Sequence, residues 1–428
     1  MRSSITTLFA LALTLTPLCA DNNWPQFRGP AGDGHADTAT LPVKFGEDDH
    51  VKWKTAIHGK AWSCPVIWGD QLWVTTANEQ GTELGVLTLD KNSGKIVRDV
   101  TLFNIANPQF CHRFNSYASP TPVIEEGRIY VTFGSPGTAC LDTKTGKVLW
   151  QRTDLVCNHY RGAGSSPIRW GNLLIMNFDG SDFQYVIALD KDTGKTVWKT
   201  DRSTDYHDLD EKGQVKNEGD YRKGFATPHV ADVAGKPVLF SSGAKAHYAY
   251  EPQTGKELWR FDEPAQHSPA TRPLINDGLI YILTGFGKGQ LLAIKLPQKN
   301  DPAKPQVLDE SQLAWRMKKG VPNKPSLILA NGLLFMIDDG GIAACVDAKT
   351  GEEYWRQRIQ GNYSAAPIYA NGRIYVCSEE GKVAVFAAEK EFKLLAENTL
   401  ANGIMAAPVV SGNELYVRTK TDLYRIEN

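Results

Sequence analysis

The stretch ACLDTKTGKVLW, Ala139–Trp150, returns with the same punctuation as IALDKDTGKTVW at Ile187–Trp198, AYEPQTGKELW at Ala249–Trp259 and AACVDAKTGEEYW at Ala343–Trp355. Each copy is a short apolar run, a polar turn closed by glycine, and a tryptophan four residues beyond that glycine. Asp142, Asp190 and Asp347 open the turns, where a short carboxylate can accept hydrogen bonds from turn amides. Gly146, Gly194 and Gly351 supply the positive φ that a tight hairpin needs. A large aromatic at fixed register on the strand that follows predicts burial against a neighbouring unit.

Upstream of this core, every unit has the same entrance. A Ser-Pro, Ala-Pro or similar start leads into a brief apolar strand, a glycine turn and a second strand of the type RIYV. The opening prolines are Pro65, Pro122, Pro167, Pro228, Pro273, Pro367 and Pro408, and Leu327 holds the place in one further copy. Proline suits the first residue of a strand because its missing N–H removes no ladder bond there. Neighbouring starts lie 40 to 61 residues apart, the period of a four-stranded propeller blade. The expected fold is therefore all-β: an eight-bladed β-propeller of four-stranded antiparallel blades. The last copy, Pro408 to Glu427, has only three strand-like runs, while Val51-Lys52-Trp53-Lys54 stands alone before the first. Pairing this N-terminal strand with the strand near Leu423 to Ile426 would close the ring and remove an open edge.

Residues 51–428 are thus read as one propeller, residues 21–50 as an N-terminal extension and residues 1–20 as a signal peptide. Arg2, the apolar run Ile5 to Leu18 and the small Ala20 form the pattern of a secretory leader cleaved near Ala20. Cys19 follows Leu18 rather than a small residue, so lipidation there is the less favoured reading. The mature chain is expected to be periplasmic or secreted and monomeric, with no transmembrane segment. Lys and Arg total 47 against 48 Asp and Glu, with no basic stripe, which argues against a nucleic-acid partner.

The repeats resemble the tryptophan-docking motif of the PQQ-like (pyrroloquinoline quinone repeat) β-propeller family, within the quinoprotein alcohol dehydrogenase-like superfamily. The lead-in WPQFRGPAGDG, Trp24–Gly34, is similar to that of secreted bacterial propellers of the BamB-like kind. This resemblance is specific for fold and weak for function, since one fold hosts catalytic and purely binding members. Membership of the dehydrogenases would imply an adjacent-cysteine disulfide, a calcium held by carboxylate and amide ligands, and an aspartate base. No two cysteines are adjacent here, and the stretches before the opening prolines hold no Asp or Glu. No cofactor or metal is expected, calcium without carboxylates being chemically unfavourable, and PQQ with calcium is the less favoured alternative.

In a propeller the segments before each first strand converge on the mouth of the central funnel. Here they carry Trp62 in the first copy, His112, Arg113, Asn115 and Tyr117 in the second, His159 and Arg161 in the third, and Phe225 in the fourth. His267 and Arg272 follow in the fifth, Lys324 in the sixth, and Asn362 and Tyr363 in the seventh. A cationic and aromatic ring in a chain of net charge -1 points to an anionic or hydroxyl-rich ligand. The competing reading is that the same groups tie turns together across blades. Cys111 and Cys157, in neighbouring copies, are candidates for a disulfide in an oxidising compartment. The acidic insertion from Thr204 to Lys223 is expected to be a solvated excursion. Two functional expectations follow: a binding or scaffold module for a small polar ligand or an envelope protein, and alternatively an enzyme acting on a carbohydrate or alcohol in the funnel, an atypical quinoprotein dehydrogenase included.

Overall fold

The computed structural model describes residues 22–299 and 301–428; the expected signal peptide and Cys19 lie outside the described residues. Eight antiparallel sheets follow one another along the chain and close into a propeller. Blade 1 contains Val66–Trp68, Gln71–Ala77, Glu83–Asp90 and Ile96–Asn104, from the axis outward, and the other blades repeat this order. Blades 2 to 7 begin at Val123, Ile168, His229, Leu274, Ile328 and Ile368. Each start lies one residue beyond its opening proline, or beyond Leu327 in blade 6. The middle strands read as near-continuous apolar runs, as in Leu173–Asp179, which is buried throughout. Such runs are what a sheet covered on both faces requires.

Blade 8 is completed by the N-terminal strand, as its missing fourth strand demanded. Val51–Ala56 pairs antiparallel with Asp422–Ile426, with Val51 opposite Ile426 and Ala56 opposite Asp422. The first and last strands of the ring are thus joined in one sheet, which gives blade 8 its four strands.

The repeated tryptophan seals one blade to the next. Trp53, Trp150, Trp198 and Trp315 donate from Nε1 to the carbonyls of Lys91, Lys191, Pro252 and Ala348, each in the outer turn of the following blade. Their rings lie flat over the turn glycine. A Cβ on Gly194 would sit 2.6 Å from Trp150, and one on Gly255 would sit 2.3 Å from Trp198. On blade 1 the tryptophan place is taken by Arg98, which donates to the Lys144 carbonyl and covers Gly146.

The extension crosses the channel at the end away from the segments that precede the inner strands. Trp24 exchanges both backbone hydrogen bonds with Ile67 on blade 1, and the Pro25 carbonyl accepts from Ile124 on blade 2. The Phe27 carbonyl accepts from Arg272 on blade 5, the Arg28 guanidinium donates to the Leu327 carbonyl on blade 6, and His35–Ala36 pairs in parallel with Tyr369–Ala370 on blade 7. Leu41 and Phe45 then join the core shared by blades 7, 8 and 1. This plug closes one end of the axis and leaves a funnel at the other.

Candidate functional site

The residue just before each opening proline is held extended by the proline ring, and this places its N–H toward the next blade. Cys64 N–H donates to Thr121 Oγ at 2.9 Å, Thr121 N–H to Ser166 Oγ at 2.9 Å, Ser166 N–H to Thr227 Oγ at 3.1 Å, and Arg272 N–H to Ser326 Oγ at 3.2 Å. The hydroxyls form a girdle that fixes neighbouring inner strands to one another. Blades 7 and 8 carry Ala365, Ala366, Ala406 and Ala407 at this level, so that side of the funnel is apolar.

Above the girdle and the Phe27 floor lies an axial cavity of about 650 Å³. Seven of the thirteen sequence candidates line it: Trp62, His112, Asn115, Arg161, Phe225, His267 and Lys324. The other six do not. Tyr363 is fully buried and donates to the Gln360 carbonyl, and Tyr117 packs on Gly81 and donates to the Gln109 carbonyl. His159 is buried to one side, its Nε2 accepting from Ser135 N–H at 2.9 Å. Arg272 is buried at the plug, donating to His229 and to the Phe27 carbonyl. Arg113 and Asn362 stay exposed at the rim, the latter donating to Glu380. In all of these but Arg113, local hydrogen bonding or packing decides the direction of the side chain. Asn115 serves both ends, since it lines the cavity while donating to the carbonyls of Arg161 and Ala163.

Carboxylates do reach the funnel, contrary to the sequence reading, but along other routes. The insertion is exposed over most of its length, yet its last turn folds back so that Asp220 and Lys223 line the cavity. Asp220 accepts from Arg161 Nε at 3.2 Å and from Arg161 Nη2 at 3.3 Å, and Lys223 Nζ donates both to the Asp220 carboxylate and to its carbonyl. Burial alone would raise the Asp220 carboxyl; the two cations hold it below its ordinary range. Asp339 arrives from the turn between the second and third strands of blade 6 and accepts from Asn323 Nδ2 at 2.6 Å and Lys324 N–H at 3.1 Å. Burial pushes its carboxyl up despite these donors. Glu379, from the equivalent turn of blade 7, accepts from Lys324 Nζ at 3.0 Å and Ser364 Oγ at 2.6 Å.

Two further groups come from outside the segments that precede the opening prolines. Phe27 belongs to the lead-in, and Phe286 to a small two-stranded ribbon with Gln266–His267. The inner turns carried a signal, because DDGG at Asp338–Gly341 and SEEG at Ser378–Gly381 put paired acids on the same end of the ring as the pre-proline segments.

The expected disulfide is not formed: Cys111 and Cys157 are both free. Cys157 is turned inward toward His159 Nδ1 and the Phe183 carbonyl, whereas Cys111 lies against Gly162 and the carbonyl of His112. Cys64, Cys140, Cys345 and Cys377 are free as well. Among the described residues, no three His, Cys, Asp or Glu side chains gather as a metal site would need, and no helix is long and apolar enough to cross a membrane.

Comparison with known proteins agrees with the repeat. A family model described as "Outer membrane protein assembly factor BamB" matches residues 182–298 and 306–391. The outer membrane protein assembly factor BamB of Yersinia pestis is 22% identical over 54% of this chain and 66% of its own length. The quinoprotein ethanol dehydrogenase of Pseudomonas putida is 28% identical over 32% of this chain and 22% of its own. Both matches span less than two thirds of the relative's length. Among solved structures, a europium-containing methanol dehydrogenase superposes with a TM-score of 0.67 at 12% identity, over 95% of this chain and 98% of that one. That likeness concerns the fold.

Proposed function

From a chain that resembles both the BamB-like and the quinoprotein PQQ-repeat propellers, we propose a ligand-binding propeller of the bacterial envelope whose axial funnel takes a small polar or anionic molecule. The observation that carries this reading is the single-ended cavity, where charged groups from blades 3, 4 and 6 stand beside Trp62, Phe114 and Phe225. A concave site with an aromatic lining and a few converging polar groups is the form a small-molecule site takes. Phe27 and the alanine wall give the ligand an apolar floor, and Arg161 can turn part of its fork to an incoming oxyanion.

The reading involves no quinone. Asp220 is engaged by two cations and Asp339 by amide donors, so neither is free for calcium, and the thiols that a vicinal disulfide would need are far apart in sequence. A second reading, an enzyme acting on a small carbohydrate or alcohol, is favoured by Asp339 alone. A half-buried carboxyl with a raised pKa in a cavity has the character of a general base.

A thermal-shift screen of sugars, small carboxylates, phosphates, amino acids and PQQ with calcium tests the proposal. At least one small polar class should raise the unfolding temperature of the native protein and fail to raise that of Arg161→Ala. If no small molecule protects the native chain, the funnel is not a binding site and the scaffold role remains.

A further inference from the structure

Charge is segregated across the funnel. On blades 3 and 4, Arg161 and Lys223 face a single carboxylate, Asp220, leaving one positive charge in surplus. On blades 6 and 7 the count reverses, since Lys324 and Lys420 stand among three carboxylates, Asp339, Glu379 and Glu380, of which Asp339 lines the cavity. The start of blade 3 and the start of blade 7 are four places apart in an eight-membered ring, so Arg161 and the Ser364–Glu379 pair stand on opposite sides of the axis. His112 and His267 do not upset this balance, because burial and the neighbouring cations push both pKa values below the ordinary histidine value and keep the rings neutral near pH 7. At the rim, Arg113 and Glu380 are exposed on the positive and negative sides respectively, and Lys420 donates to the Glu379 carbonyl. Between the poles the surface is aromatic and apolar, with Phe27 below and Ala366 and Ala407 to the side.

A plain anion would satisfy one pole and face repulsion at the other. A neutral sugar would leave both charges without a partner in a partly desolvated site, where Coulomb terms are several times larger than in water.

Resting on the ligand-binding reading above, we infer that the funnel takes a small zwitterion with an apolar body, its carboxylate on Arg161 and Lys223 and its ammonium on Asp339. The two charges must be separated by several bonds to reach opposite walls. A free dipeptide with apolar side chains is the simplest member of this class.

The test is calorimetric titration of the whole protein with leucylleucine, its N-acetyl derivative and its C-terminal amide. The free dipeptide should bind at least about tenfold more tightly than either capped form, the loss expected for one ionic contact. Arg161→Gln should weaken the free and N-acetyl forms while sparing the amide, and Asp339→Asn should weaken the free and amide forms while sparing the N-acetyl form. Capped and free forms binding equally would overturn the assignment. So would binding of simple monoanions or sugars when no dipeptide binds, a result that leaves the funnel intact as a binding site. If nothing in either panel binds, both readings fall together.

Discussion

At Gly194 two requirements meet in one residue. Its φ is +72°, and the Trp150 ring lies where a Cβ would stand. Gly194→Ala should therefore cost about 1–2 kcal/mol from the dihedral alone, with a further loss as the indole is displaced from the Lys191 carbonyl. Urea unfolding should show a lowered midpoint, and an unchanged one would mean that the Trp150 contact contributes little to the ring. Arg161 is the opposite case. Its side chain is 39% exposed and its partner Asp220 is satisfied by Lys223 as well, so Arg161→Ala should cost under about 1 kcal/mol of stability while removing ligand protection. A large stability loss would show the side chain to be a brace between blades. The sequence identified Gly194 and Trp150 because their spacing recurs, and it identified Arg161 by its place before a proline. It could not indicate Asp220, which reaches the same spot only because a long insertion doubles back.

Each blade repeats, but the strand that completes blade 8 comes from the other end of the chain. Val51–Ala56 supplies the outer edge of the last sheet, with Trp53 sealing it to blade 1. Deleting residues 22–55 should lower the unfolding temperature sharply and promote association, since an unpaired strand edge is a template for other chains. A soluble, undiminished monomer would contradict the closure described here. This pairing was legible because one copy was a strand short and one strand had no copy. The plug was not legible, since WPQFRGPAGDG has no repeat to set its register and its contacts with blades 1, 2, 5, 6 and 7 are mostly backbone hydrogen bonds. The role of inner turns such as Asp338–Gly341 is hidden for a related reason: they look like ordinary hairpin turns until the ring brings them to the funnel.

Across the molecule, the buried histidines link the fold to pH. Burial lowers His159 to about 4, and burial together with Arg202 lowers His247 to about 3. His229 is held well below the ordinary value by burial, Arg272 and Arg28. Below about pH 6.5 the unfolded chain takes up protons that these folded sites refuse, so stability is full above that value and is lost as pH falls toward 4. Each histidine contributes a slope of up to about 1.4 kcal/mol per pH unit in that window. Urea midpoints at pH 7.5 and 5 should differ accordingly, and equal midpoints would refute the assignment of neutral buried rings. In the same protein, added PQQ and calcium should yield neither a stable quinone absorbance nor dye-linked alcohol oxidation; turnover would promote the enzymatic reading. The central claim is the position of the ligand, and a crystal structure grown with the strongest compound from the thermal-shift screen tests it most directly. Density should fill the axial cavity between Arg161 and Lys324 above Phe27; density on the outer rim with that cavity holding only solvent would contradict the account.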